Sequence, residues 1–119
     1  LIHAICDALL GAAGEGDIGE HFPDTDPKYQ GIASSELLKK TADLIKNKGF
    51  TIVNIDTVVI AEEPKILVFK SQMQQSLAHT LKIEAGQVNI KAKTNEGLGE
   101  IGNKEAISAF AVATLKQGV

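Results

Sequence analysis

Between Ser34 and Ala61 the apolar residues change period, and that change commits the chain to helices packed on a sheet. From Ser34 to Lys48 they recur at Leu37, Leu38, Thr41, Leu44 and Ile45, the stripe of an amphipathic helix. Ser34 or Ser35 can cap its start, Glu36 suits its positive N-terminal end, and the lysines of the last turn suit the other. Gly49 stops it. From Thr51 to Ala61 (TIVNIDTVVIA) the residues are largely β-branched and predict a strand. Alternation puts Val53, Ile55 and Val59 on one face, and Ile52, Asn54, Asp56, Val58 and Ile60 on the other.

The remaining segments extend this pattern. Leu1 to Ala13 is predicted helical, with Ile2, Ile5, Leu9 and Ala12 on one stripe; Gly14 and Gly16 end it. Gly16 to Gly31 is too punctuated by glycine, proline and aspartate for a regular element, and a long loop in a small domain is more often functional than idle. Ser71 to Lys82 is predicted helical, on Met73, Leu77 and Leu81. Val88 to Lys93 is predicted to be a strand, with Val88, Ile90 and Ala92 opposite Asn89, Lys91 and Lys93. In Ala106 to Lys116 the alanines favour helix, whereas Ile107, Phe110, Val112 and Thr114 favour strand. A strand is expected, because the other elements need a further sheet partner. The sum is α+β: a small mixed β-sheet with helices packed on one face.

Composition bounds the function. The 119 residues fit one domain, and one cysteine excludes an internal disulfide or a cysteine-cluster zinc site. A net charge of −3 argues against a nucleic-acid partner. All positive side chains other than histidine are lysine, so a bound phosphate must be met by lysine, backbone N–H groups or a metal rather than a guanidinium fork. No apolar run approaches the ~20 residues that span a bilayer, and no membrane partner is expected. The chain opens inside a helix at Leu1, so its natural N-terminus is expected to lie upstream.

Few residues stand out for chemistry. His3 and Asp7, four apart on a helix, suit either one metal or a histidine–aspartate ion pair. Asp17, Asp24 and Asp26 suit a hard cation or turn capping, with an Asx-turn expected at Asp24. Lys93 to Gly99 (KTNEGLG) follows a strand. Its small residues can offer backbone N–H groups to phosphate, with Glu96 on a divalent cation, or form a plain glycine turn. Cys6 is expected in the core, and His21 and His79 at the surface.

In order, these signals join. The run His3-Ala4-Ile5-Cys6-Asp7-Ala8-Leu9-Leu10-Gly11-Ala12-Ala13, then Gly16-Asp17-Ile18-Gly19, then Phe22-Pro23-Asp24-Thr25-Asp26-Pro27 resembles the 2-C-methyl-D-erythritol 2,4-cyclodiphosphate synthase family. The likeness continues through Ser34, Ala61, Pro64-Lys65, Val88 to Ala92, Thr94, Glu96, Leu98, Gly99 and Gly102. It implies a single domain over residues 1–119 and a homotrimer with active sites between subunits. It also implies a reaction on a cytidine diphosphate-linked small molecule in non-mevalonate isoprenoid synthesis. The 2-phosphate of 4-diphosphocytidyl-2-C-methyl-D-erythritol 2-phosphate attacks the β-phosphorus of its own diphosphate, and CMP leaves.

The resemblance also implies site residues. His3 matches a ligand of Zn²⁺ or another divalent transition metal, and Glu96 the ligand of a Mg²⁺ or Mn²⁺ ion. Glu96, Thr94 and Lys65 match the catalytic group around the phosphates. Asp17 and Gly19, grouped with Phe22 and Asp24, match the segment for the methylerythritol part. Ala61, Pro64, Lys65, Ile66 and Leu67 match the cytidine pocket and Thr94 a phosphate-contacting threonine, while Lys93, where many relatives carry a threonine, departs from the pattern and puts a longer cation near the phosphates. Asp7 matches an aspartate expected to support the histidine rather than bind metal.

Departures from the pattern qualify this. The family's Asp-x-His, which supplies the other two zinc ligands, precedes Leu1. The domain is therefore expected to lack its N-terminal strand and first metal motif, and one ligand alone makes no catalytic zinc centre. Asn103, Phe110 and Glu100 replace residues that favour isoprenoid diphosphates in a cavity on the trimer axis, so weak binding of those compounds is expected. A non-catalytic nucleotide-binding or scaffold member of the same fold, without a complete zinc site, is the alternative reading. Either a bacterial cytoplasm or a plastid-type organelle fits.

Overall fold

The strand after Gly49 is the axis of the molecule. The computed structural model describes residues 1–118. In it β1 (Phe50–Ile60) is the centre of a three-stranded mixed sheet. On one side β2 (Val88–Lys93) runs parallel to it, and on the other β3 (Ser108–Gln117) runs antiparallel. Three longer helices, α1 (Ile2–Ala12), α3 (Ser34–Asn47) and α4 (Ile66–Leu81), cover one face of the sheet. Two single-turn helices, α2 (Ile18–His21) and α5 (Gly99–Gly102), lie in the connections. No helix among the described residues is long and apolar enough to cross a membrane.

The core lies between that face and the helices. Ile5, Cys6, Leu9 and Leu10 of α1, Leu37, Leu38 and Ile45 of α3, and Leu77, Ala78 and Leu81 of α4 pack on Ile52, Ile55, Val88 and Ile90. Burial pushes the Cys6 thiol pKa up, which suits an inert core residue. Thr41, buried in the α3 stripe, returns its hydroxyl to the Leu37 carbonyl at 2.9 Å.

The ambiguous last segment is a strand, and its alanines have a packing reason. Ala109, Ala111 and Ala113 face the helices beside Val59, Thr57 and Ile55, where α1 crosses β3; their size lets the helix sit close.

Four local expectations are corrected. Strict alternation fails at Val53, where the pairing shifts between Ile52 and Asn54. The extra residue turns Val53 outward, 45% exposed, and puts Ile52 on the core side with Ile55. The α4 helix begins at Ile66, not Ser71, because Leu67 and Val68 in its first turn are mostly exposed and carry no buried stripe. The Gly16–Gly31 loop holds α2 and a 3₁₀ turn at Pro27–Tyr29, each capped by an aspartate: Asp17 accepts from Glu20 N–H and Asp26 from Lys28 N–H, both at 3.0 Å. Finally, α3 starts with Ala33 at the cap position, and neither Ser34 nor Ser35 provides a capping bond.

The other face of the sheet is uncovered. It presents Phe110 and Val112, 61% and 69% exposed, beside Val58 and Ile60. Asp56 sits among them, its carboxyl held below the usual carboxylate range by hydrogen bonds from Asn89 and Lys91, both at 3.0 Å.

Candidate active site

Two parallel strands end at the same edge, and in open α/β arrangements ligands bind beyond that edge. The Ala61 N–H closes on the Lys93 carbonyl at 3.0 Å, fixing the ends of β1 and β2 together. Beyond this closure a cleft of about 300 Å³ opens against the first turn of α4. Six residues singled out from sequence line it: Ala61, Lys65, Ile66, Leu67, Lys93 and Thr94. Glu62 and Ala92 complete it, and neither carried a local signal of function. Pro64 faces the neighbouring groove, about 450 Å³, together with Leu1, Ile2, Phe69 and Met73.

The cleft is electrostatically suited to an anion. Lys65 and Lys93 bring two cations against the one carboxylate of Glu62, and the N-terminal end of α4, which has no side-chain cap, adds its partial positive charge. Ala61 and Ile66 bring apolar surface and backbone polar groups.

Of the two readings of the Thr94–Gly99 loop, a row of N–H groups facing phosphate or a plain glycine turn, the bonds favour the turn. The N–H groups of Asn95 and Gly97 are donated to Glu62 Oε1, at 2.8 and 3.1 Å. The Glu96 N–H is donated to Thr94 Oγ1 at 3.3 Å, and the Leu98 N–H to the Asn95 carbonyl at 3.0 Å. Four of the loop's six backbone N–H groups are thus already donated, two of them to Glu62 outside the loop. Glu96 itself is exposed and in the left-handed region, φ 53°, a conformation costing ~1–3 kcal/mol that clusters at functional sites.

Behind this loop, Gly102 of α5 touches Gly97. A Cβ on Gly102 would fall 2.0 Å from the Gly97 carbonyl carbon. That is backbone against backbone, which cannot yield by a rotamer change. Gly102→Ala is expected to cost about 1–3 kcal/mol of stability and to push the Glu96 loop outward. Urea unfolding checks the first effect, and chemical-shift changes at residues 95–97 the second.

The other predicted site residues lie on α1 and the α2 region, and none of them lines the cleft. His3 is exposed on α1, and none of the ion pairs among the described residues includes it. No ion pair among the described residues joins Asp7 to His3; the Asp7 carboxylate accepts the Ile18 N–H at 2.9 Å and anchors α2 to α1. That bond positions Asp17 and Gly19, both exposed. Phe22 is half-buried, packed against the core and edge-on to Tyr29 at 5.4 Å, so it shapes this corner. Asp24 is exposed and caps nothing; the capping falls to Asp17 and Asp26. His21, expected at the surface, is half-buried with its ring Nε2 on the Glu15 carbonyl.

Metal chemistry divides the same way. No three His, Cys, Asp or Glu side chains among the described residues come together to hold a metal. His3 as a lone donor therefore does not make a tetrahedral zinc centre by itself. The exposed Glu96 carboxylate does fit Mg²⁺ or Mn²⁺, which binds through one or two carboxylates plus substrate phosphates.

Known proteins resemble this chain along nearly its whole length. The model of the YgbB family matches residues 1–116. A 2-C-methyl-D-erythritol 2,4-cyclodiphosphate synthase from Syntrophus aciditrophicus (strain SB) is 51% identical over 117 residues, covering 98% of this chain and 74% of that protein. Among solved structures, the bifunctional IspDF from Campylobacter jejuni superposes with a TM-score of 0.93 at 47% identity, covering 98% of this chain and 32% of that one. A Plasmodium falciparum IspF in complex with CDP gives a TM-score of 0.86 at 36% identity, covering 99% of this chain and 70% of that one. On the match across nearly its whole length, the chain belongs to the YgbB family.

Proposed function

We propose that this chain is a 2-C-methyl-D-erythritol 2,4-cyclodiphosphate synthase domain of isoprenoid precursor synthesis. It would cyclise 4-diphosphocytidyl-2-C-methyl-D-erythritol 2-phosphate and release CMP. The observation that carries the reading is the cleft at the ends of β1 and β2, where Ala61, Lys65, Ile66, Leu67, Lys93 and Thr94 converge. Its support is the 51% identity to a synthase and the likeness to an IspF that binds CDP.

In the reaction an oxygen of the 2-phosphate forms a bond to the β-phosphorus. The bond from that phosphorus to the oxygen bridging the α-phosphate breaks, and CMP departs with that oxygen and the electron pair. The protein needs no nucleophile; it holds attacking and leaving oxygens in line and spreads the charge. The backbone of Ala61–Leu67 takes the cytidine end. Lys65 and the start of α4 face the diphosphate, with Lys93 and the Thr94 hydroxyl beside the reacting phosphates. Asp17 and Gly19, with Phe22 and Asp24 around them, take the methylerythritol end. Glu96 would hold Mg²⁺ or Mn²⁺, which neutralises phosphate charge when bound. His3 would give one donor to a zinc or similar ion; the family pattern places its partners, an Asp-x-His, ahead of Leu1.

The two halves of this site sit on different parts of the chain, with only one half lining the cleft. A homotrimer with sites between subunits brings such halves together, and the uncovered apolar sheet face supplies a surface for it. A bacterial cytoplasm or a plastid-type organelle is the expected setting.

Calorimetric titration with CDP tests the pocket, and CMP release in the presence of Zn²⁺ and Mg²⁺ tests the chemistry. Micromolar-range CDP binding together with CMP release is expected. CDP binding without release would favour a non-catalytic nucleotide-binding protein. Neither binding nor release would sink both readings.

A further inference from the structure

The loop that carries Glu96 is held from outside itself. Glu62 follows Ala61 at the end of the central strand, and its side chain is half-buried. One oxygen, Oε1, accepts the N–H of Asn95 at 2.8 Å and that of Gly97 at 3.1 Å. Those two amides flank Glu96. The left-handed conformations of Glu96 and Gly97, φ 53° and 75°, bring them to one side. Such a concave set of N–H groups is a binding place for an anion, and here the protein supplies the anion itself. The loop's internal bond from the Glu96 N–H to Thr94 Oγ1 is longer at 3.3 Å. Glu63 ties the far end of the same excursion through Lys104 at 3.0 Å, an exposed pair that adds little.

We propose that Glu62 is a positioning residue. It fastens the Asn95–Gly97 backbone to the end of β1 and so sets where the Glu96 carboxylate and the Thr94 hydroxyl stand against the base-binding segment. The catalytic part of this inference rests on the synthase reading above. Glu62 belongs to the segment that lines the cleft, so the nucleotide end and the phosphate end of the site share one clamp. Two hydrogen bonds converging on one oxygen make that clamp stiff. In-line displacement tolerates little displacement, since about 1 Å of misplacement costs on the order of 10²-fold in rate.

The test compares Glu62→Ala with Glu62→Gln. Glutamine keeps an acceptor oxygen and loses the charge; alanine loses both. Amide hydrogen exchange at Asn95 and Gly97, followed by NMR, reads the clamp directly. Both amides should be protected in the parent and in the glutamine variant, and exchange fast in the alanine variant. Manganese binding, read by its electron paramagnetic resonance signal, should weaken only in the alanine variant. The kcat for CMP release should fall about 10–100-fold with alanine, and glutamine should restore most of it. If the alanine variant does not fold, Glu62→Asp, one methylene shorter, should show intermediate values of each readout.

Parent-like exchange at both amides in the alanine variant would overturn the proposal. So would a glutamine variant as slow as alanine, because the charge and not the clamp would then be responsible. A parent protein that neither binds CDP nor releases CMP, while its amides still open on Glu62→Ala, would overturn the synthase reading and the catalytic role with it. The clamp itself would stand confirmed.

Discussion

Glu96→Gln is expected to lower CMP release by about 10²–10³-fold, the scale of losing one preorganised charge stabiliser at a reacting phosphate. The side chain keeps its length and loses its negative charge. Glu96 is exposed in a left-handed conformation, and its backbone is fixed from both sides by the bonds of Asn95 and Gly97 to Glu62. The substitution touches none of those bonds, so the loop should keep its shape and the loss should read the carboxylate alone. A hard divalent cation is held through one or two carboxylates plus phosphates, and an amide oxygen is a poor substitute for a carboxylate in so sparse a shell. Manganese binding should weaken in parallel, while CDP measured without metal should bind as before. That split separates metal loss from pocket collapse. A drop of only about twofold in CMP release would remove Glu96 from the reaction centre.

The sequence exposed the near half of this architecture well. Helix α3 and strand β1 announce themselves by period, and Pro64-Lys65 and Thr94 mark the ends of the two strands between which the cleft forms. What it concealed is non-local. Nothing around Glu62 signals that its carboxylate reaches the N–H of Asn95, because that contact depends on parallel pairing of β1 with β2. For the same reason spacing alone left the loop open to a phosphate reading, whereas two of its N–H groups are donated to Glu62. The shift at Val53 leaves no mark on composition and reverses the face of Ile52. Asp7 and His3 share a helical spacing, yet Asp7 is drawn to Ile18, an unbonded N–H that arrives only when α2 folds back. Ala109, Ala111 and Ala113 carried a helix signal because their actual role, making room for α1, is a property of the neighbour.

The second large effect is expected from Val112→Asp, on the sheet face that no helix covers. Val112 is 69% exposed, stands opposite Asp56 across the β1–β3 pair, and neighbours Phe110 on the same face. A lone chain gains little from an apolar side chain left in water, whereas an assembly that closes on this face buries it once per subunit. Aspartate there would be buried without a partner and directly opposite another carboxylate, and an unpaired buried charge costs several kcal/mol. Because Asp56 is already kept ionised by Asn89 and Lys91, it cannot relieve the repulsion by taking up a proton near neutral pH. The expected result is loss of the proposed trimer in sedimentation equilibrium, and loss of CMP release with it if sites are built between subunits. Val112→Lys provides the contrast. It can pair with Asp56 on a single chain, so folding should survive, but a lysine still cannot enter an apolar contact, and assembly should still fail. If both variants sediment as trimers, the uncovered face is not the interface, and the two halves of the site must meet by another surface.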